Sequence, residues 1–162
     1  MRLFVDMDGV LAEYKWSGKG EEWRRGHFLS LAPDPAVVKA VRKIAIGNAA
    51  EVYVLSALLP DSDWCRPEKA VWLVRYLPEI PEDRWIFTKP GVSKPEAVVA
   101  LFGTLEDSIL LDDFTANLKQ WESAGGTGIK YLNGINGTKG TWQGRAVSSQ
   151  MLSEEIIAAI CP

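Results

Sequence analysis

The 162-residue chain holds one histidine and two cysteines, and this scarcity excludes several kinds of site. Cys65 and Cys161 show neither a CxxC pair nor Cys/His metal spacing, so they read as ordinary reduced thiols. A lone histidine, here His27, is more often a packing or surface residue than a catalyst. No apolar run approaches the ~18 residues that a membrane span needs, and no charged, then apolar, preface of the signal-peptide kind opens the chain. The expectation is a cytoplasmic protein with no membrane partner, in which the sequon Asn136-Gly137-Thr138 is idle. An excess of lysine and arginine is missing too, since the net charge is −3. That balance argues against gripping a nucleic-acid polymer by its phosphates, although a small anion beside one local cation remains possible. Internal repeats and low-complexity tracts are absent.

What is present is ordinary in bulk, 47% hydrophobic and 24% charged, and the length fits one domain over residues 1–162. Four short apolar runs stand out: Leu3-Phe4-Val5, Val52-Tyr53-Val54-Leu55, Trp85-Ile86-Phe87 and Ile109-Leu110-Leu111. They lack polar alternation, as do strands buried on both faces of a parallel sheet. Residues 128–132 form a weaker fifth. Helical patterns lie between them. Asp34-Pro35 reads as cap and first turn before Val37, Val38, Val41 and Ile44. A second helix runs from Pro67 to Leu77 with Val71, Trp72, Val74 and Tyr76. Ser93-Lys94-Pro95-Glu96 is a capping-box pattern, and Thr115–Ser123 and Ser153–Ile160 complete the set. This alternation predicts a doubly wound α/β fold, with a parallel sheet of about five strands and helices on both faces.

Two segments break the pattern. Residues 13–33 read as a short lid whose Trp16, Trp23 and Phe28 either stack a base or pack the insert onto the domain. Residues 133–150 show Asn-Gly turns and no period. Gly125-Gly126-Thr127-Gly128 follows a helix and precedes a strand, the reverse of a dinucleotide fingerprint, so it reads as a helix stop. Trp72 and Trp121, at helical spacing with apolar neighbours, read as core.

Ligands of parallel α/β sheets bind outside the carboxyl ends of the strands, and the oddest polar residues of this chain fall there. Asp6 and Asp8 end the first strand, Ser56 the second, Asp112 and Asp113 the fourth, and Lys94 opens the helix after the third. Several carboxylates in one crevice do not all ionise unless a cation neutralises them, and hard oxygen ligands of this kind suit Mg²⁺. Lys94 at a helix N-terminus is disfavoured by the helix dipole, a conflict that an anion between it, Ser56 and the metal resolves. The set reads as a phosphoryl-transfer centre. Asp6, at the metal, is placed to attack phosphorus, and Asp8 to protonate the leaving oxygen and later take a proton from water. Lys89 competes with Lys94, which is preferred because it begins a helix.

These residues resemble, in order and position, the four motifs of the haloacid dehalogenase superfamily of phosphatases: DMDGVL with Asp6 and Asp8, the serine of YVLS at Ser56, SKPEA at Lys94, and ILLDDF at Asp112 and Asp113. The resemblance implies a Rossmann-like three-layer fold and Mg²⁺ held by Asp6, the Asp8 carbonyl and Asp112, with Asp113 acting through water. DMDGVLAEY, EKAVWLVRYLPEI, LLDDFTANLKQWE and GIKYLNGINGTKGTW are more closely similar to the 5'(3')-deoxyribonucleotidase-like branch, which implies a nucleotide or other small phosphorylated metabolite as partner. The stretch between the first two motifs is short for that branch and implies a minimal cap. A response-regulator receiver places its adjacent acidic pair after the first strand, and a hydrolytic dehalogenase needs neither Asp8 nor a metal. A silent phosphate-binding protein would keep the charged groups without the reaction.

Overall fold

Successive residues of a strand face opposite sides of a sheet, so a strand with no polar position needs cover on both. The first strand, β1 (Arg2–Val5), shows this directly: Leu3 and Val5 join one apolar cluster and Phe4 another, and all three are fully buried. The computed structural model describes residues 1–14, 24–136 and 140–161, so Trp16 and Trp23 lie outside the described residues. Further strands are β2 (Glu51–Ala57), β3 (Trp85–Thr88), β4 (Ser108–Asp112), β5 (Thr127–Leu132) and β6 (Arg145–Ser148). They form one six-stranded sheet in the order β3-β2-β1-β4-β5-β6, with every neighbouring pair parallel.

A four-residue helix, α1 (His27–Ser30), packs on α3 (Cys65–Tyr76). With α2 (Pro35–Ile46) and α6 (Ser153–Ile160), α3 covers the face built around Leu3, Val5, Val54 and Leu111. The other face is covered by α4 (Lys94–Phe102) and α5 (Thr115–Ser123). There the Phe4 ring stacks on Tyr53, with centroids 5.1 Å apart, and meets Trp121 edge-on at 5.2 Å. The caps follow their sequence signals. Asp34 accepts from the amides of Ala36 and Val37, and Ser93 and Glu96 form the reciprocal box that starts α4. Gly126 does more than stop a helix: a Cβ there would lie 2.2 Å from the Trp121 indole nitrogen.

Two expectations need correction. The sheet has six strands, not five, because β6 is a short edge strand in which only Val147 is buried, leaving almost no pattern to read. Val71 and Val74 of α3 are 57% and 62% exposed, so the buried stripe runs instead through Cys65, Glu68, Lys69, Trp72 and Leu73. Of the two readings of Phe28, packing is the one that the structure shows: the ring is buried and tilted against Trp64. At the start of α6 Leu152 holds the N-cap position, its amide donating to Glu155. Trp72 and Trp121 are core, as their spacing predicts. Among the described residues no helix is long and apolar enough to cross a membrane.

Replacing Trp121 by alanine should destabilise the protein by about 3–5 kcal/mol, the usual cost of emptying an aromatic site in a core. Val71→Ala should stay within about 0.5 kcal/mol. Urea unfolding of both variants checks the pair, and comparable losses would contradict the orientation of α3.

Candidate active site

The strand order reverses at β1, which has β2 on one side and β4 on the other. At such a switch point the two neighbouring connections leave in opposite directions and open a crevice at the carboxyl ends. Asp6 lies at that edge, its amide donating to the Leu111 carbonyl at 2.9 Å, so the β1–β4 register brings it beside Asp112, the last residue of β4. Asp113 follows, and Lys94 reaches in from the first turn of α4. Its ammonium lies 3.0 Å from Asp6 Oδ1 and 2.5 Å from Asp112 Oδ2. All four side chains are buried. Lys89, the rival for this position, is exposed.

One ligand oxygen each from Asp6, Asp112 and Asp113 lies within 4.8 Å of the others. Burial, reinforced by the carboxylates of Asp112, Asp8 and Asp113, pushes the Asp6 carboxyl up to about 8 although Lys94 opposes the shift. Burial also raises Asp113, against the amides of Asn136 and Asn133. For Lys94 burial works the other way, yet Asp112 and Asp6 hold its ammonium above the usual lysine range. Of the two further buried lysines nearby, Lys130 donates to the Asp113 carbonyl and to the Thr115 hydroxyl rather than to a carboxylate, and Lys69 is taken up by Asp8. Three carboxylates thus face one ammonium, and the all-oxygen donor set suits a hard divalent cation that would supply the missing charge.

Each acid is aimed by neighbours. Asp112 accepts from the Phe114 amide at 2.7 Å and from Asn117 at 2.9 Å. Asp113 accepts through Oδ2 from Asn133 at 2.8 Å and Asn136 at 2.6 Å, and Asn133 also donates to the Gly9 carbonyl at 2.8 Å. Gly9 is required twice over. Its φ is +82°, and a Cβ would lie 2.4 Å from Asp113 Oδ2.

Asp8 stands apart from the three clustered acids. Its Oδ2 accepts from the Lys69 ammonium at 2.5 Å and from the Ser56 hydroxyl at 3.3 Å. Lys69 donates further to Ser56 Oγ at 2.8 Å and to the Ala57 carbonyl at 2.7 Å, and its charge lies 4.6 Å from the centre of the Phe28 ring. Next to it, Glu68 accepts from the amides of Gly26 and Phe28 and fixes the start of α1. Asp8 Oδ1 is buried with no partner among the described residues. Ser56 is fully buried, facing Asp8 and Lys69. Lys69 and Asn133 are not singled out by the sequence reading, and Asn136 enters it only through the idle sequon. The signal for Lys69 was available, because it occupies the apolar stripe of α3 between Cys65 and Trp72, where a solvated lysine has no place. Asn133 follows β5 directly and so obeys the same strand-end rule as the aspartates.

The backbone fold has counterparts among solved structures. The D,D-heptose 1,7-bisphosphate phosphatase of Burkholderia thailandensis superposes with a TM-score of 0.69 over 99% of both chains at 11% identity. A HAD hydrolase, family IA, variant 3, from Entamoeba histolytica superposes with a TM-score of 0.62 over 98% of both chains at 13% identity. This chain shares their fold. No protein-family model and no curated protein sequence matches it. At these identities the likeness concerns the backbone, and the chemistry has to be argued from the side chains.

The buried acids set a pH dependence. An unfolded aspartate ionises near ~3.9, whereas native Asp6 does so at about 8. Below ~4 both states hold the proton. Across the window up to about 8 the native state holds more, so the metal-free stability falls as pH rises. Asp113 is shifted the same way. Thermal unfolding in chelator across this range should show that fall, Asp6→Asn should shrink it, and excess Mg²⁺ should restore stability at its alkaline end. A flat profile for the metal-free protein would contradict the burial of unneutralised acids.

Proposed function

We propose that the chain is a Mg²⁺-dependent phosphomonoester hydrolase of the haloacid dehalogenase superfamily, working through an aspartyl phosphate on Asp6, with a (deoxy)nucleoside monophosphate as substrate. The observation behind this reading is the buried group of Asp6, Asp112, Asp113 and Lys94 at the switch point, with Asp8 beside it on a separate cation. Asp6, Asp112 and Asp113 would hold Mg²⁺, together with the Asp8 carbonyl that the sequence resemblance adds, and the ion would neutralise charge on the phosphoryl oxygens.

The chain's own groups do the rest. A carboxylate oxygen of Asp6 attacks phosphorus and forms a new P–O bond as the ester P–O bond breaks. Asp8 gives its proton to the departing alkoxide. Lys69 and Ser56 grip Oδ2 of Asp8, which leaves Oδ1 to exchange that proton. Water then attacks phosphorus, Asp8 takes a proton from it, and inorganic phosphate leaves with Asp6 regenerated. Lys94 keeps Asp6 oriented and balances charge as the phosphoryl group moves, and the Ser56 hydroxyl turns between Asp8 and a phosphoryl oxygen. A base-free sugar phosphate is the second reading, favoured by the backbone shared with a heptose bisphosphate phosphatase.

Phosphate release from nucleoside monophosphates and from sugar phosphates, with Mg²⁺ and after chelation, tests the proposal. Activity should require the metal, and Asp6→Asn should reduce it to background with the fold intact. Asp8→Asn should slow poor leaving groups by about 10²–10⁴ and activated aryl phosphates much less. Hydrolysis that survives chelation, or survives Asp6→Asn, would rule the mechanism out. The relative kcat/KM of the two substrate classes decides between the readings.

A further inference from the structure

Large apolar side chains are costly to leave in water, and two of the exposed ones stand beside the acidic cluster: Phe114, 53% exposed, and Ile135, 50% exposed. Phe114 directly follows Asp113, and its amide is tied to Asp112 Oδ1, so its ring is held on the carboxyl-end rim of the sheet. Ile135 sits on the turn after β5, where its amide and that of Asn136 both donate to Asn133 Oδ1 at 2.9 Å. That turn is fastened to the site because Asn133 and Asn136 both donate to Asp113. Tyr14, Phe114, Ile135 and Asn136 line an open cavity of about 460 Å³, within the ~300–1,000 Å³ typical of small-ligand sites.

We infer that Phe114 and Ile135 form the subsite for the leaving group, and that this subsite takes a flat, weakly hydrated ring such as a nucleobase. The inference rests on the phosphatase reading and goes beyond it by assigning substrate choice chiefly to Phe114 and Ile135 on the rim of β4 and β5, with Tyr14 the one wall residue from the segment 13–33. The wall chemistry favours a ring over a polyol. Phe114 offers a face for stacking and Ile135 an aliphatic contact, whereas the Asn136 amide nitrogen is engaged by Asp113. A base seated here loses apolar hydration together with the wall. Sugar hydroxyls in the same place would give up hydrogen bonds to water. The wall residues are also anchored through the backbone to the carboxylates that orient the reaction, so a seated base would fix the ester relative to Asp6.

The test compares kcat/KM for a deoxynucleoside 5'-monophosphate and for ribose 5-phosphate in wild type, Phe114→Ala, Phe114→Trp and Ile135→Ala. Phe114→Ala should lose about tenfold or more in the nucleotide-to-sugar ratio, Ile135→Ala should lose less, and Phe114→Trp should retain the ratio. Both side chains are half exposed, so the variants should fold, and circular dichroism checks this. Equal losses on both substrates, or none, would overturn the subsite while leaving the phosphatase reading intact. Wild-type protein that hydrolyses neither ester would instead overturn the reading on which the subsite rests.

Discussion

The pairing of one buried ammonium with a crowd of buried carboxylates is the constraint around which this molecule is arranged. Lys94 touches Asp6 and Asp112 together, and it does so only because β1 and β4 are neighbours and α4 begins at their carboxyl ends. Taking such charges out of water carries a penalty of several kcal/mol per ion even after relaxation, so the contacts around them cannot be loose. The consequences are visible outward from the pair. Amides of Phe114, Asn117, Asn133 and Asn136 supply the acids with hydrogen bonds, and Gly9 gives up its side chain so that Asp113 can approach.

The centre is divided electrostatically. Asp6, Asp112 and Asp113 share Lys94 and remain short of positive charge, which is what a metal-binding set requires. Asp8, two residues from Asp6, has a lysine of its own and is withdrawn from the cluster. Two aspartates separated by a single methionine therefore meet different surroundings, one in a cluster short of positive charge and the other paired with a lysine. Lys69 and Glu68 extend this division to α1. One holds Asp8 and the other holds the start of α1, so successive residues on one turn of α3 tie the acid and α1 to the same rigid element.

Much of this was legible in the chain itself. Strand runs without polar alternation announced a sheet covered on both faces, capping signals at Asp34 and Ser93 marked two helix starts correctly, and the polar residues at strand ends and at the start of α4 include Asp6, Lys94, Asp112 and Asp113, which the fold brings together. The missed features have one physical cause. β6, Lys69, Asn133 and the outward turn of Val71 and Val74 depend on which element lies next to which, and a periodic pattern states only that a face is buried, not what buries it. Lys69 shows the limit well. Its place in an apolar stripe was visible, but a reason for a lysine there exists only once Asp8 and Ser56 arrive from two other strands.

By itself, then, the sequence determined the class of fold and the inventory of charged groups at the strand ends, because period, capping and turn chemistry act over a few residues. The tertiary structure decided which acids share a cation and which stand alone, that Lys94 rather than Lys89 enters the crevice, that Phe28 is packed away, and that Phe114 and Ile135 meet beside the acids. Those outcomes are set by strand order and by the direction each helix returns across the sheet, and such long-range choices leave no local signature in the residues that they bring together.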